Sequence, residues 1–197
     1  MYKKYLKSFL DTFFALIVLI LISPLFLALC FAIKIDSKGP IFFKQCRIGK
    51  YKKEFYIYKF RSMRIDAPKN QPTHLLKNPD TYITKLGKFL RKSSLDELPQ
   101  LINILIGQMS FVGPRPALYN QYDLIALRDK FKANDVRPGL TGWAQVNGRD
   151  ELPIEVKAEY DGEYVLKLSF AFDCLCFLRT FKSVTTAEGV KEGRKEE

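Results

Sequence analysis

The sequence is nearly without histidine. His74 is the only one in 197 residues, and no CxxC pair occurs. Neither a zinc site nor a Ser-His-Asp triad is therefore indicated. Cysteine is sparse too: Cys30, Cys46, Cys174 and Cys176 do not make a disulfide framework in a chain of this length. Cys30 lies in an apolar run, and Cys174 and Cys176 are too close for an easy bridge. We read the thiols as reduced and the bulk of the chain as cytoplasmic. Trp143 is the only tryptophan. There is no internal repeat, and no RRM, helix-turn-helix or KH pattern, so nucleic acid is not an expected partner. Acidic residues are the minority, 21 against 32 Lys and Arg, which leaves a net charge of +11 and a pI near 9.4. That excess calls for an anionic partner, either a membrane surface or phosphate-bearing substrates.

Hydrophobic residues make up 47% of the chain and charged residues 27%, a globular composition with enough chain for one core. From Phe13 to Ile33 no residue is charged, a run of 21. As a straight helix it is long enough to cross about 30 Å of hydrocarbon. Two features argue against a simple crossing. Ser23-Pro24 sits at the centre of the run, where Pro24 cannot donate to the carbonyl four residues back. The Ser23 hydroxyl is available for backbone groups freed there. In addition, both flanks are positive: Lys3, Lys4 and Lys7 against Asp11 before the run, and net +8 over residues 34–64 after it. Positive flanks favour the cytoplasm, and each cation near anionic headgroups contributes about 1 kcal/mol. These features leave a spanning helix and a re-entrant one both open.

Beyond the run, Ile41-Phe42-Phe43 and Phe55 to Tyr58 flank a turn at Gly49 and predict a strand pair over 41–60. Residues 66–80 read as a loop. Residues 82–92 predict an amphipathic helix, with Leu86, Phe89 and Leu90 on one face and Lys85, Lys88 and Lys92 on another. A helix is expected from Leu95 to Ile106, stopped by Gly107, then a turn at 113–116, a helix at 117–133, an irregular segment at 136–149, and a last helix at 170–184.

Four stretches carry chemistry. In Ser93-Ser94-Leu95-Asp96-Glu97-Leu98-Pro99-Gln100-Leu101, Ser94 and Glu97 have capping-box spacing, although Pro99 would then remove a helical donor one turn in. The cap is either Ser94 or Asp96, or the helix is irregular there. The two neighbouring carboxylates, about 100° apart on a helix, also allow one to attack a phosphorus while the other holds a cation. In Met109 to Pro116, Gly113 and two prolines fix the backbone around Arg115, a bidentate phosphate ligand by type. The stretch Val136 to Arg149 mixes glycines, amides, arginines and Trp143. Basic residues interleave with aromatics in Phe43 to Gly49 and in Phe55 to Met63. Each stretch also has an ordinary structural reading, as a cap, a tight turn, a loop and a headgroup-facing strand pair.

In this order, after an N-terminal apolar run, KFRSM (59–63), SSLDELPQL (93–101), MSFVGPRP (109–116) and VRPGLTGWAQVNGR (136–149) resemble the bacterial sugar transferase family. The likeness is to its small monotopic phosphoglycosyl transferases, over residues 3 to 185. It implies a small, atypical α/β fold with interfacial amphipathic helices. A re-entrant membrane helix would occupy residues 1–35, broken at Ser23 and Pro24. A catalytic domain would fill 36–185 at the cytoplasmic face of the bacterial inner membrane, and 186–197 would be a charged tail. The implied reaction moves a sugar-1-phosphate from a UDP-sugar to polyprenyl phosphate and releases UMP. Asp96 would be the nucleophile, Glu97 the Mg²⁺ ligand, and Arg91 a contact to the polyprenyl phosphate. Lys59 and Arg115 would hold phosphates, and Gln145, Asn147 and Arg149 would belong to the nucleotide-sugar site. Lys92 and Ser93 stand where the family varies, and Gly162 stands where a larger residue is expected. Neither the sugar, the glycoconjugate pathway nor the oligomeric state follows from the sequence.

Overall fold

The computed structural model describes residues 2–68, 79–148 and 152–186. The apolar run is not one helix. A π-helical turn, Tyr2–Leu6, leads into α1, Lys7–Leu21, and α2 follows at Ser23–Asp36. The two helices are bent by 66° at the break. Pro24 stands in the first turn of α2, where its missing N–H is tolerated. The Ser23 hydroxyl donates to the Ile20 carbonyl at 2.7 Å. That is the carbonyl Pro24 cannot serve. Among the described residues no single helix is long and apolar enough to cross a membrane, and the bent pair passes that test only jointly. Each half is about 22 Å long, short of the hydrocarbon thickness of roughly 30 Å.

The strands β1 (Phe42–Ile48) and β2 (Glu54–Phe60) pair antiparallel, with Phe43 opposite Lys59, around the expected turn at Gly49. Next come α3 (Lys85–Lys92), a 3₁₀ turn (Leu95–Glu97) and α4 (Gln100–Leu105). Strand β3 (Ser110–Val112) leads to α5 (Tyr122–Lys130) and β4 (Gly139–Thr141), and β3 pairs with β4 in parallel. Helices α6 (Trp143–Val146), α7 (Ile154–Lys167) and α8 (Phe170–Thr186) complete the described chain. The fold is thus mixed helix and sheet, with two separate two-stranded sheets among the described residues.

Several expectations need correction. The helix expected over 95–106 is two pieces. Ser94 adopts a left-handed conformation (φ 56°) and makes no side-chain cap, so the capping box does not form. Pro99 begins α4 instead of interrupting a longer helix, which is where a residue lacking N–H fits. Helix α3 is capped by Thr84, whose hydroxyl oxygen accepts from the Gly87 N–H at 2.9 Å. Leu90 is buried on its inner face, whereas Phe89 is exposed. The helix expected over 117–133 narrows to α5, and the segment 136–149 contains β4 and α6. Helix α7 was not anticipated. Its inward positions are Ala158, Asp161, Gly162 and Tyr164, which carry little aliphatic signal. At Gly162 the expected larger side chain has no room, because a Cβ there would lie 2.7 Å from the Phe131 Cβ. Phe131 fills that space from the neighbouring element. The loop expectation at 66–80 and the tail beyond Thr186 fall largely outside the described residues.

Two cores place the site. Leu29 and Ile33 of α2 pack with Phe60, Leu90, Leu95 and Leu98. Ala15 of α1 packs with Phe55, Ile57, Leu101, Ile104 and Met109. The apolar helix pair is therefore part of the globular core on one side. On the other it leaves Phe9, Phe13, Leu16, Ile20, Leu27 and Phe31 exposed.

Candidate active site

Sequence-distant residues converge at the 3₁₀ turn. After α3, the Ser93 hydroxyl donates to the Phe89 carbonyl at 2.8 Å, and the left-handed Ser94 reverses the chain. Leu95 and Leu98 then anchor the turn in the core shared with α2. Between those anchors Asp96 is buried, 8% exposed. Strand β2 approaches from the side. Its free edge is held by Asn103 of α4, which accepts from the Tyr58 N–H at 3.0 Å and donates to the Tyr56 carbonyl at 2.8 Å. That bracket fixes the register at Lys59, the next residue.

The result is a compact charge cluster. Lys59 Nζ lies 2.6 Å from Glu97 Oε1 and 3.9 Å from Asp96 Oδ2. Arg115 Nη2 reaches the same Glu97 oxygen at 3.0 Å. Arg91, at the end of α3, is near enough for its charge to act on Asp96. The two carboxylates respond in opposite ways. Burial pushes the Asp96 carboxyl above its usual range; Lys59, Arg91 and Arg115 oppose that push, and the adjacent Glu97 charge adds to it. Burial acts on Glu97 in the same sense, but Lys59 and Arg115 override it and hold its carboxyl well below the usual carboxylate range. Asp96 is thus a carboxylate poorly compensated by its surroundings, next to one that is paired twice.

Arg115 is aimed by an interlocked pair of turns. The Gly113 N–H donates to the Thr141 carbonyl at 2.8 Å, and the Gly139 N–H donates to the Pro114 carbonyl at 2.9 Å. A Cβ on Gly113 or Gly142 would collide with the opposing backbone, so both positions require glycine for close approach. The segment 113–116 therefore joins the carboxylate cluster to the 136–149 stretch.

Five of the site residues named from the sequence, Lys59, Arg91, Asp96, Glu97 and Arg115, are brought together. Gln145 and Asn147 are not part of that cluster. The Gln145 amide donates to the Leu140 carbonyl at 3.1 Å, and the Asn147 amide donates to the Trp143 carbonyl at 2.7 Å. Both bonds stay within the local segment, although Gln145 Oε1 is buried without a partner. Arg149 lies outside the described residues. The sequence reading missed what surrounds Trp143. Its indole N–H donates to Glu163 at 2.7 Å, and the Arg179 guanidinium lies 4.7 Å from its ring centre. It also missed a buried knot in which Asp173 receives Lys7 at 2.6 Å, Tyr164 at 2.8 Å and the Tyr2 hydroxyl. Lys7 and Asp173 are 166 positions apart, and no local pattern signals such a pair.

The donors suit a hard cation. Asp96 and Glu97 supply only oxygen, and both cationic partners of Glu97 engage Oε1, so Oε2 takes no part in those ion pairs. Among the described residues no group of three or more His, Cys, Asp or Glu is gathered. A cation here would take its remaining ligands from substrate phosphates and water, the usual habit of Mg²⁺.

Comparison with known proteins gives the chain's relatives. A UDP-glucose:undecaprenyl-phosphate glucose-1-phosphate transferase of Xanthomonas campestris pv. campestris is 42% identical over 174 residues, 85% of this chain and 36% of that protein. A UDP-N-acetylgalactosamine-undecaprenyl-phosphate N-acetylgalactosaminephosphotransferase of Aeromonas hydrophila is 36% identical over 193 residues, 95% of this chain and 45% of that protein. The chain thus spans less than half the length of these two relatives. It matches almost the whole of a third, the uncharacterized sugar transferase EpsL of Bacillus subtilis (strain 168), at 37% identity over 95% of this chain and 91% of that one. A profile of the bacterial sugar transferases matches residues 2–187. That match includes the helix pair, β2, the Asp96-Glu97 turn and the Arg115 turn alike, and the chain belongs to the bacterial sugar transferase family.

Proposed function

We propose that the chain transfers a sugar-1-phosphate from a UDP-sugar to polyprenyl phosphate, releasing UMP, as the first membrane step of glycoconjugate assembly. The observation that carries this reading is the buried Asp96 carboxylate beside Glu97, faced by Lys59 and Arg115. An Asp96 oxygen attacks the sugar-bearing phosphorus of the UDP-sugar. The bond from that phosphorus to the bridging oxygen breaks, and UMP leaves with the electron pair. An oxygen of polyprenyl phosphate then attacks the same phosphorus and breaks its bond to Asp96. The carboxylate is restored and a polyprenyl diphosphosugar departs. No general base is needed, because the nucleophile is a carboxylate.

Lys59 and Arg115 orient the donor diphosphate and offset its charge, and Arg91 receives the acceptor phosphate. Mg²⁺, held by Glu97 with substrate oxygens, would supply further charge screening. Gln145, Asn147 and Arg149 contribute to the nucleotide-sugar side, connected to the cluster through the 113–116 turn. The helix pair enters the bilayer and returns, placing the cluster at the cytoplasmic face of the inner membrane. The 66° bend, the short halves and the exposed apolar side chains support that placement, and the exposed Phe170, Phe177, Leu178 and Phe181 of α8 suit an interfacial helix.

The test supplies a panel of UDP-sugars with undecaprenyl phosphate and identifies the released nucleotide. UDP-glucose and UDP-N-acetylgalactosamine head the panel, being the donors named for two relatives. UMP is expected. Release of UDP would mark an ordinary glycosyl transfer and overturn the reading.

A further inference from the structure

Three consecutive residues at the end of β2 have partners in three different places. Lys59 meets Glu97. Phe60, which is buried, packs into the α2 core, its ring centre 4.8 Å from that of Phe26 and 5.7 Å from that of Phe42. Arg61 turns to the C-terminal end of α2. There its Nη2 donates to the Ser37 carbonyl at 2.6 Å, the Ser37 hydroxyl at 2.8 Å and, weakly, the Ile33 carbonyl at 3.4 Å. Its Nη1 donates to the Lys38 carbonyl at 3.1 Å. The last carbonyls of a helix lack intrahelical donors and carry partial negative charge, so a guanidinium there satisfies both needs.

Three details make this a built contact. Arg61 is only 5% exposed although charged. Gly39 passes so close that a Cβ would collide with Nη1, and its φ of +129° disfavours any side chain. The planar fork reaches several acceptors at once, which an ammonium on a flexible stem does not reproduce. A helix cap alone needs no such cage. The cage joins the end of the apolar helix pair rigidly to the strand that presents Lys59. The α2 core also contains Leu95 and Leu98, the residues on either side of Asp96-Glu97.

We propose that Arg61 is a positioning residue that fixes the height of the Lys59–Asp96–Glu97 cluster relative to the bilayer, so that attack by the lipid-held acceptor depends on it while attack on the soluble donor does not. The inference rests on the two-step reading above. Arg61 touches neither substrate. It acts through the seating of α2 on the unit formed by β2 and the Asp96-Glu97 turn, which moves as one through Phe60, Leu95 and Leu98, and a misplacement near 1 Å between that unit and the lipid-held acceptor phosphate costs up to about a hundredfold in rate.

The experiment separates the two half-reactions in protein reconstituted into phospholipid nanodiscs. With UDP-sugar alone, Arg61→Lys should give a stoichiometric UMP burst at a rate within about twofold of wild type. With undecaprenyl phosphate in the same nanodiscs, its turnover should fall about tenfold or more. A short prenyl phosphate presented from solution should be used about as well as by wild type, within roughly twofold, because its phosphate is not held at a fixed depth. Ser37→Ala removes one acceptor, leaves Arg61 in place and should show the same split more weakly, which covers a poorly folded Arg61 variant. Equal losses in both half-reactions would reduce Arg61 to a fold-stabilising cap, and no loss in either would remove it from the reaction. Both results overturn the proposal. Absence of any UMP burst in wild type would overturn the two-step reading itself, before variants are compared.

Discussion

Asp96 and Glu97 are neighbours in sequence with opposite electrostatic surroundings. The folded state raises the Asp96 carboxyl, chiefly by burial, and lowers that of Glu97 through Lys59 and Arg115. A raised pKa means that the charged form weakens the fold at neutral pH. Asp96→Asn should therefore raise Tm at pH 7 while abolishing turnover. That advantage over wild type should shrink as pH falls through the Asp96 pKa, because protonation relieves the wild type of the same burden. Glu97 has the opposite sign: its stabilisation is present above the unfolded pKa and disappears only as pH falls through the lower folded one. Glu97→Gln should thus lose roughly 2 kcal/mol at pH 7, or about 4–8 °C in Tm, by thermal denaturation. A fall in Tm for both variants would contradict this division of roles. For the cation, excess EDTA should stop turnover and Mg²⁺ should restore it; full activity in chelator would remove the metal from the account. At this scale the sequence was informative, since the motif residues Lys59, Arg91, Asp96, Glu97 and Arg115 do meet. What it did not show was which cation pairs with which carboxylate. Lys59 and Glu97 are 38 residues apart, and their contact depends on the Asn103 bracket on β2.

At the scale of elements, the break at Ser23-Pro24 was legible because proline lacks a specific donor, and the Ser23 hydroxyl replaces it at the Ile20 carbonyl. The strand pair was legible from its aromatic runs and Gly49. Elements whose inward positions are small or polar escaped notice. In α7 those positions are Ala158, Asp161 and Gly162, and Asp161 is matched by a buried Arg128 at 2.6 Å. The parallel pair β3–β4 has three residues per strand, too short for any alternation to register. Ser94 misled because its spacing to Glu97 fits a cap while its backbone is left-handed. The helix pair yields a topological prediction. Cysteines introduced near residues 4 and 50 should both be labelled only from the cytoplasmic side. Pro24→Ala restores the missing N–H and should straighten the pair, exposing part of the residue-4 population to periplasmic reagent. Periplasmic labelling of residue 4 in the unmodified helix pair would contradict the re-entrant arrangement.

Across the whole molecule, the N-terminal turn and α1 are tied to α8 and to β3. Asp173 of α8 receives Lys7, Tyr2 and Tyr164, and Asp11 of α1 accepts from the Phe111 N–H at 3.2 Å. Asp173→Ala leaves the half-buried Lys7 without its closest counter-charge and should destabilise the protein by about 3 kcal/mol, read as a drop of roughly 6–12 °C in Tm. A change below about 1 kcal/mol would show that the knot is solvated and dispensable. The same architecture explains the charge balance. An excess of +11 is what the proposed function requires, with anionic lipid on one side and two phosphate-bearing substrates at the cluster. The account depends most on the chemistry of Asp96, and one measurement addresses it directly. Protein is mixed with Mg²⁺ and a UDP-sugar that supports turnover, without polyprenyl phosphate, then quenched, digested and analysed by mass spectrometry. The account predicts a sugar-phosphate mass on the peptide containing Asp96, absent in Asp96→Asn and discharged by adding the acceptor. An unmodified Asp96 peptide, together with kinetics that require both substrates bound at once, would contradict it and assign the attack to the polyprenyl phosphate.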